Sequence, residues 1–404
     1  MDMKGKVETA QLLSDAKNTI LYTAVRPELV MERGDGMYLW DMEGNRYLDF
    51  IGGWAVTCLG HSPAVIRDAL TAQSSLLVNA SPSFLNKPMI ELAKLLTDVS
   101  CFDRVFFASS GAEANEGAIK LARKHGSINL GGAHEIITTV NGFHGRTLAM
   151  MSATGKKQWE KLYEPKLPGF RHVPLNDVEA VLAAINPNTC AIMLELVQGE
   201  GGVHAVDADY LAALRQICDK HGIMLIFDEI QTGIGRTGKL FAYEHYGIQA
   251  DVMTLGKGIG GGFPLSALLV KEAFNLFEAG DQGGTYSGQP LAMAVGLAVM
   301  KEVIDKQLSL NADIQGQYIL ERLQNVADQY RLTNIRGKGL LLAFDMEDRK
   351  APEIAAGCLK EGLLINAPNP STIRLMPPLI VTKEDTDLMM DRLCRVLDHE
   401  FSLR

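Results

Sequence analysis

Runs of apolar residues alternate along the middle of the chain with longer stretches in which apolar residues recur at helical spacing. The apolar runs are rich in Val and Ile and are mostly continuous, as expected for strands that are buried on both faces of a parallel sheet. The helical stretches at 113–126 and 207–222 end near glycine, a frequent helix end. From about residue 100 to 300 the pattern therefore predicts an α/β domain in which a helix returns after each strand. The predicted strands lie at 103–109, 134–140, 190–196, 222–228 and 251–256.

The two ends of the chain follow a different pattern. Residues 37–50 predict a hairpin, because the turn-forming cluster DMEGN separates two apolar runs. After residue 291 a long helix, the strand-like segments RGKGLLLAFDM and STIRLMPPLIV, and a final helix predict a separate α+β domain. A chain of 404 residues suits two domains better than one core. We therefore expect a large domain at 59–291 and a small domain at 292–404, to which residues 1–58 contribute.

Composition and charge narrow the class of protein. The sequence is 47% hydrophobic and 22% charged, which is ordinary for a soluble globular protein. Its net charge of -9 provides no positive field for a polyanion, so nucleic acid is not expected as a partner. The six cysteines are scattered and form no C-x-x-C pair, from which we expect reduced thiols, no metal site and a cytoplasmic location. The N-terminal segment lacks the apolar core of a secretion signal, and no run of eighteen apolar residues predicts a membrane span.

The residues that follow the predicted strands are the candidate site residues, because ligands of open α/β sheets bind beyond the carboxyl ends of the strands. The segment SSGAEANE at 109–116 passes from a strand through Ser110, Gly111 and Ala112 into a helix. Free backbone N–H groups at such a helix N-terminus can bind a phosphate group. The alternative is a tight turn with serine as the helix cap, and this segment alone does not decide between the two.

Two further strand ends carry charged residues. Asp228 follows the apolar run IMLIF, where a carboxylate with little water around it needs a cationic partner, although acidic residues after strands are often only caps or loop residues. Lys257 lies among glycines in TLGKGIGGGFP, where its amine can approach a planar group, although a loop lysine is otherwise simply solvated. Taken together, a phosphate seat, a buried carboxylate and this lysine match the phosphate anchor, pyridinium partner and Schiff-base amine that pyridoxal phosphate requires.

Glycine-rich segments leave a second class of enzyme open. GIGRTG at 233–238 and GKGIGG at 256–261 both satisfy G-x-G-x-x-G, the loop of dinucleotide-dependent oxidoreductases, but such matches arise by chance in a glycine-rich chain. The first segment nearly forms a P-loop with Lys239, but Leu240 stands where a magnesium-binding hydroxyl is required. The sequence contains neither H-E-x-x-H nor G-x-S-x-G, which argues against zinc and serine hydrolases.

Seven separated motifs resemble the class III aminotransferases, and most closely their acetylornithine and ornithine aminotransferase branch. They occur in family order with compatible spacing, from about residue 30 to the C-terminus. The motifs are FFASSGAEANEGAIKLAR, GFHGRTLAMMSATG, VQGEGGV, LIFDEIQTGIGRTGKLFAYEHYGI, TLGKGIGGGFPLSA, GGTYSGQP and IRGKGLLLAF. The resemblance implies a fold type I transferase that depends on pyridoxal phosphate, with a mostly parallel seven-stranded sheet in the large domain and a smaller α+β domain.

The resemblance implies roles for residues around the cofactor. Lys257 would bind pyridoxal phosphate through its amine and, once released by the incoming amine, would move the proton. Asp228 would pair with the pyridine nitrogen and keep it protonated, which makes the ring an electron sink. The phosphate would be bound by residues of two subunits, so the resemblance implies an obligate homodimer. The further cofactor contacts would be Phe143, stacked on the ring, His144, Ile230 on the opposite face, Gln231 near the ring hydroxyl, Ser110, Gly111 and Ala112 at the phosphate, and Thr285 from the neighbouring subunit.

Three residues would bind the substrates. Arg146 in FHGRTL and Arg374 in STIRLMPP are candidate carboxylate-binding forks, because guanidinium binds carboxylate in a bidentate way. By resemblance, Glu200 would pair with Arg374 while an ω-amine donor reacts and would release it for a dicarboxylate acceptor. Pairing of the arginines at a surface or a domain interface is the alternative interpretation.

Some segments depart from the family pattern. NASPSFLN at 79–86 differs from the usual sequence near SNLY, and Ser287 and Gln289 stand where Gly and Asn are usual. Tyr22 lies near, but not in clear register with, the segment that supplies a substrate-contacting aromatic residue in ornithine aminotransferases. We therefore predict transfer of the terminal amine of N-acetylornithine, or a similar donor, to 2-oxoglutarate by a ping-pong route. Ornithine, succinylornithine, 4-aminobutyrate or general ω-amine donors, with 2-oxoglutarate or pyruvate as acceptor, remain alternatives, as do a nucleotide-dependent enzyme and an inactive binding protein of the same fold.

Overall fold

A seven-stranded sheet organises the middle of the chain in the computed structural model, which describes residues 3–347 and 350–402. Six strands run parallel, and Ser266–Val270 runs antiparallel to both of its neighbours. The mostly parallel seven-stranded sheet that the sequence predicts is therefore confirmed. In spatial order the strands are Arg104–Ala108, Ser266–Val270, Val252–Leu255, Met224–Asp228, Thr189–Leu194, Glu135–Thr139 and Phe170–Val173.

The central strands are apolar throughout because both of their faces are covered. Every residue of Thr189–Leu194, Met224–Asp228 and Val252–Leu255 is buried. The expectation that a helix returns after each strand is wrong after two strands. Met224–Asp228 is joined to its parallel neighbour Val252–Leu255 by a loop that contains only the 3₁₀ turn Ala242–His245. After Val252–Leu255 the chain makes only a short 3₁₀ turn, Lys257–Gly260, and turns back into the antiparallel strand Ser266–Val270, a connection that a short loop can make.

Helices cover both faces of the sheet and build the ends of the chain. Gly111–Asn129 packs across several central strands and buries Ala114, Ala118 and Leu121. Pro290–Asp305 packs on Ala64–Ser74 and Lys87–Asp98. The remaining α-helices are Met3–Thr19, Leu148–Ala153, Val178–Ala184, Ala208–His221, Leu308–Tyr330, Ala351–Lys360 and Lys383–Ser402, and a four-residue turn at Gly52–Ala55 contains left-handed backbone; three further 3₁₀ turns are Lys157–Trp159, Ala242–His245 and Glu272–Phe274.

Three smaller sheets involve the terminal segments and the region of the site. The predicted hairpin is confirmed as Tyr38–Asp41 paired antiparallel with Arg46–Asp49. Arg46–Asp49 also pairs with Leu363–Leu364 from the C-terminal region, so the two ends of the chain share one sheet. The strands of the three smaller sheets are Met31–Asp35, Tyr38–Asp41, Arg46–Asp49 and Leu363–Leu364; Leu332–Lys338, Leu341–Met346 and Thr372–Leu375; and Val197–Gln198 with His204–Ala205.

The domain limits 1–58, 59–291 and 292–404 stay predictions, and residues 1–2, 348–349 and 403–404 lie outside the described residues.

The segment STIRLMPPLIV forms a shorter strand than its apolar residues predict. The strand ends at Leu375, two residues before Pro377 and Pro378, which have no N–H to donate to a neighbouring strand. Among the described residues, no helix is long and apolar enough to cross a membrane. All six cysteines are free thiols.

Candidate active site

Asp228 ends the strand Met224–Asp228 and is held by three groups behind it. Its Oδ2 accepts a hydrogen bond from Nδ2 of Asn115 at 2.8 Å and lies 2.7 Å from Nδ1 of His144. Its Oδ1 accepts from the backbone N–H of Ile230 at 3.1 Å. Asn115 is fixed in turn, because Thr254 donates to its Oδ1 and it donates to the carbonyl of His144. Asp228 is only 3% exposed, so its orientation depends on these contacts rather than on water.

His144 is buried beside this carboxylate. Burial alone would lower the pKa of His144, but the hydrogen bond to Asp228 and the charge of that group outweigh it and raise the pKa above its usual value. A protonated His144 would donate from Nδ1 to Oδ2 of Asp228. The two residues therefore form one buried hydrogen-bonded pair at the end of the strand.

Three buried polar atoms near Asp228 have no hydrogen-bond partner among the described residues. They are Nε2 of His144 and both amide atoms of Gln231. Buried polar groups are nearly always hydrogen-bonded, so unpartnered atoms at a strand end indicate a place for a polar ligand. The site is tight around Gln231, because a Cβ atom added at Gly199 would lie 1.5 Å from Oε1 of Gln231.

Lys257 follows the neighbouring strand. Asp228 and Thr254 are register partners, so Lys257, three residues after Thr254, leaves the sheet beside Asp228. Its backbone has φ of 45°, a left-handed conformation that costs energy for a residue with a side chain and is characteristic of functional sites. Burial lowers the pKa of Lys257, although Glu200, Asp228 and Glu195 act in the opposite direction. A lysine with a lowered pKa has a larger neutral fraction, which is the nucleophilic form.

At the predicted phosphate seat the structure shows the serine cap, and phosphate binding stays a prediction. Ser110 caps the helix Gly111–Asn129, and its side chain accepts from N–H of Glu113 and donates to the Glu113 carboxylate. The backbone N–H groups of Gly111 and Ala112 belong to the first helical turn, where no intrahelical acceptor exists for them. A Cβ atom at Gly111 would lie 2.8 Å from Cδ1 of Ile230, so a larger residue at this position would have to displace that side chain.

Phe143 and Arg146 lie on the segment after the strand Glu135–Thr139. The N–H of Phe143 donates to Oε2 of Glu195 at 3.1 Å, and the Phe143 ring meets Trp159 edge-on at 5.8 Å between centroids. Arg146 is exposed, and its guanidinium carbon lies 4.6 Å from the centroid of Trp159. This cation–π contact orients an otherwise mobile side chain at the mouth of the site.

Glu200 and Arg374 form the ion pair that the resemblance implies. Oε1 of Glu200 lies 2.8 Å from Nη1 of Arg374, which is completely buried. Arg374 also donates to the carbonyl of Gly199 and, from two nitrogens, to Oδ1 of Asn366. Burial would raise the pKa of Glu200, but the charge and hydrogen bond of Arg374 outweigh it and lower the pKa.

Thr285 lies on an exposed segment that leads into the helix Pro290–Asp305. The neighbouring Tyr286 is 63% exposed. The role expected for Thr285 depends on a second chain and stays a prediction.

Four residues at the site were missed by sequence reasoning. Asn115 and Asn366 orient Asp228 and Arg374. Glu195 is buried, and burial together with the charge of Asp228 raises its pKa to about 8, although His144 opposes the shift. Lys156 lies 4.0 Å from Glu200. Two of them had a sequence signal: Asn115 lies one helical turn after Gly111 and so shares its helix face, and Glu195 is a charged residue at the end of the predicted strand 190–196.

Among the described residues, no group of three or more His, Cys, Asp or Glu side chains is arranged to hold a metal ion. The site combines a carboxylate fixed by donors, a lysine with a lowered pKa, a helix N-terminus and two arginines, one exposed and one paired with a carboxylate.

Comparison with known proteins places this site in context. A family model described as Aminotransferase class-III matches residues 22–397. Acetylornithine aminotransferase 2 of Bordetella pertussis is 48% identical over 383 residues, which cover 94% of this chain and 97% of that protein. Acetylornithine aminotransferase of Caldanaerobacter subterraneus subsp. tengcongensis is 45% identical over 388 residues, which cover 96% of this chain and 99% of that protein.

Solved structures show the same fold. An ornithine aminotransferase from Toxoplasma gondii, in which pyridoxal phosphate partially occupies the active site, superposes with a TM-score of 0.92 at 28% identity, covering 96% of this chain and 94% of that one. Acetylornithine aminotransferase from Elizabethkingia anophelis superposes with a TM-score of 0.86 at 31% identity, covering 97% and 99%.

Proposed function

The chain belongs to the class III aminotransferases, and from this membership we propose that it transfers the terminal amine of N-acetylornithine, or of a close relative, to 2-oxoglutarate. The chain is a transaminase that depends on pyridoxal phosphate and has the fold of type I enzymes, as the motifs predicted. Because its named relatives at 45–49% identity are acetylornithine aminotransferases, N-acetylornithine is the first donor to test. Ornithine is the second donor, since several structural neighbours are ornithine aminotransferases.

The single observation that carries the assignment of residues is the placement of Asp228 and Lys257 at the ends of two adjacent strands. Asp228 is an oriented, buried carboxylate, and Lys257 is an amine with a lowered pKa at the next strand end. A pyridine ring between them would meet an anion at its nitrogen and an amine at its reactive carbon. This pair distinguishes a transaminase site from a nucleotide site formed by the glycine-rich loops.

The other site residues fit pyridoxal phosphate as well. Gln231 has unpartnered amide atoms that can meet the ring hydroxyl, and the first helical turn at Gly111 and Ala112 offers N–H groups for the phosphate. The Ile230 side chain is close to Gly111 and Gly256, so an apolar group faces two positions that carry no side chain. Phe143 provides an aromatic surface on the segment that follows another strand of the sheet.

When bound, pyridoxal phosphate supplies an electron-withdrawing ring that stabilises negative charge on the carbon next to the reacting amine. Asp228, oriented by His144 and Asn115, would pair with the ring nitrogen and favour its protonated form. Lys257 would accept the proton from the donor carbon that carries the reacting amine, because its lowered pKa keeps part of the amine neutral.

The two arginines differ in a way that suits two substrates. Arg146 is exposed and leans on Trp159, so its guanidinium can bind the carboxylate of an incoming donor. Arg374 is already paired with Glu200, so it offers no net positive charge to the amine end of the donor. When Glu200 turns away, Arg374 can bind the carboxylate next to the oxo group of 2-oxoglutarate while Arg146 binds its distal carboxylate.

We further propose a homodimer with shared sites. Large apolar side chains are exposed on the segment 76–85, where Leu76 is 79% and Leu85 is 77% exposed. Asn86 donates to the carbonyl of Gly288, which joins this apolar segment to the loop that contains Thr285. An exposed apolar patch of this kind favours a protein partner, and a second copy would cover it while bringing Thr285 to the opposite site.

The cytoplasm is the proposed location, supported by the six free thiols, four of which are buried. The net charge of -9 supports small molecules and a second copy of the chain, rather than nucleic acid, as partners.

An absorbance spectrum of the purified protein tests the proposed function. N-acetylornithine, ornithine, 4-aminobutyrate and a simple diamine are added separately without acceptor, and loss of the yellow band is followed. We expect N-acetylornithine to bleach the band fastest and 2-oxoglutarate to restore it. A yellow protein that none of these donors bleaches would overturn the donor assignment, and a colourless protein that cannot be reconstituted would overturn the assignment of site residues.

A further inference from the structure

Glu200 faces a second cation, Lys156, which the motifs do not include. Oε2 of Glu200 lies 4.0 Å from Nζ of Lys156, whereas Oε1 lies 2.8 Å from Nη1 of Arg374. The two oxygens of one carboxylate are thus directed towards two different positive charges. The Lys156 side chain is 15% exposed, so its ammonium is largely withdrawn from water.

Aromatic rings define the position of the Lys156 ammonium. Its Nζ lies 5.1 Å from the ring centroid of Phe143 and 5.4 Å from that of Trp159. Both distances fall within the range of cation–π attraction. Burial, with the nearby positive charges of Arg374 and Arg146, lowers the pKa of Lys156, although Glu200 and Glu195 oppose the shift. An anion is therefore needed to hold this cation in place.

In the proposed function, release of Arg374 would leave the Glu200 carboxylate without a counter-ion. Arg374 is fully buried and remains fixed by Asn366 and Gly199, whereas Glu200 is 19% exposed. Glu200 is therefore the partner that moves when a substrate carboxylate takes its place on Arg374. A largely buried carboxylate without a counter-ion is strongly disfavoured, and Lys156 is the cation beside its second oxygen.

We propose that Lys156 is the alternate counter-ion of Glu200, which pairs with Arg374 while the amine donor reacts and with Lys156 while the dicarboxylic 2-oxo acid is bound. Lys156 is then a positioning residue for the acceptor, and this role rests on the proposed function. It distinguishes the acceptor from the donor, because only the acceptor requires a second carboxylate on Arg374.

Binding of glutarate, a dicarboxylate that cannot react, measures this role without turnover. Calorimetry on the cofactor-loaded wild type and on Lys156→Met, Glu200→Gln and the double variant forms a double-mutant cycle. We expect Lys156→Met to weaken glutarate binding by about tenfold or more when Glu200 is present, within the usual range of coupling between sites. The same substitution should have no effect in the Glu200→Gln background, where no charge needs a second partner.

The separate half-reactions provide a second readout. Lys156→Met should slow the reaction of the aminated enzyme with 2-oxoglutarate and raise its KM, while its reaction with the donor stays within about twofold, because the Glu200–Arg374 pair is intact in that state. Lys156→Arg should restore the acceptor reaction. Lys157→Met, which removes the same charge from an exposed neighbour, is the matched control and should change neither half-reaction.

Three results would overturn the proposal. An equal loss in both half-reactions would mean that Lys156 only supports the local structure. A loss of glutarate affinity that persists in the Glu200→Gln background would mean that Lys156 binds the dicarboxylate directly. If Lys156→Met lost nothing in any assay, Lys156 would have no role in acceptor binding. Failure of the wild type to bind glutarate or to react with 2-oxoglutarate is a separate result, which would overturn the acceptor assignment and this role with it.

Discussion

Nδ1 of His144 lies 2.7 Å from Oδ2 of Asp228, and both side chains are at most 3% exposed. This contact, with the amide of Asn115 on the same oxygen, fixes the carboxylate before any ligand arrives. Pre-orientation of this kind reduces the reorganisation that binding and reaction require. The supporting residues should therefore matter almost as much as the carboxylate itself.

Replacement of Asn115 tests that support. Asn115→Ala removes one donor to Asp228 and the link to Thr254, so we expect activity and cofactor affinity to fall by about tenfold or more, the scale found for residues that orient a ligating group. Cofactor titration and steady-state kinetics measure the effect. Asn129→Ala, an exposed position of the same helix, should leave both unchanged. If Asn115→Ala left activity and cofactor affinity unchanged, His144 alone would be enough to orient Asp228.

Lys257 should be required for multiple turnovers. Lys257→Ala removes the group that we propose moves the proton, so kcat should fall by at least about 100-fold, the scale of general acid–base catalysis. Borohydride reduction followed by mass measurement should attach the cofactor to the wild type and not to the variant. Lys239→Ala, in the exposed part of the P-loop-like segment, should be fully active. Loss of activity in Lys239→Ala would instead mean that this exposed lysine also contributes to turnover.

Subunit mixing tests the shared site. Lys257→Ala and Thr285→Glu should each be inactive if Thr285 serves the phosphate site of the partner. In a mixed dimer, one site combines an intact lysine with an intact threonine. Random pairing should then restore about a quarter of the wild-type activity, because half of the dimers are mixed and each has one intact site. No recovery in mixtures whose subunits have exchanged would contradict a site shared through Thr285.

Glu195 should make stability depend on pH. Folding raises its pKa from the usual 4.5 to about 8, because burial disfavours the charged form. An acid with a raised pKa contributes stability that is fully present below the unfolded pKa and is lost as the pH rises through the folded pKa. The Tm of the wild type minus that of Glu195→Gln should therefore decrease from about pH 5 to about pH 8.5. A difference that stays constant over this range would mean that Glu195 remains ionised in the folded protein.

Glu229 should contribute to stability rather than to chemistry. Its buried carboxylate accepts hydrogen bonds from the N–H groups of Ala242 and Tyr243. Glu229→Gln replaces one acceptor oxygen by a donor and leaves a buried N–H unpaired, which should cost about 1–3 kcal/mol of unfolding free energy. Thermal unfolding at fixed protein concentration measures the change. Glu272→Gln, which alters an exposed ion pair with Arg104, should have little effect, and equal shifts in the two variants would contradict the explanation.

Sequence reasoning located Asp228 and Lys257 because strand ends can be recognised from short apolar runs. Phe170–Val173 escaped recognition because it is an edge strand whose middle residues, Arg171 and His172, are exposed. Ser266–Val270 has a buried apolar pattern, but its antiparallel direction depends on which neighbours it meets in the folded chain. Hydrophobic periodicity predicts which residues are buried, whereas the order and direction of strands depend on contacts between distant segments.

Residues that support the site were harder to predict for the same reason. Asn366 meets Arg374 through a local bridge, but its relevance appears only when Arg374 reaches Glu200, far away along the chain. Lys156 has no distinguishing pattern in the sequence, and its proximity to the rings of Phe143 and Trp159 is seen only in the fold. Both side chains lie outside the motifs, and each lies near Glu200 or near its partner Arg374 only because the fold brings distant segments together.

The turn that reverses the chain after Lys257 sets the distance between Lys257 and the segment at Ser110. Ser266, the first residue of the returning strand, pairs with Ala108 and donates from its hydroxyl to the carbonyl of Ser110. Lys257 and the proposed phosphate seat at 110–112 are therefore joined through the ladder of the sheet, and not through a long flexible connection. Insertions between 257 and 266 would alter the distance between these two parts of the proposed site, so the length of this segment should tolerate less variation than the exposed loops of the same protein.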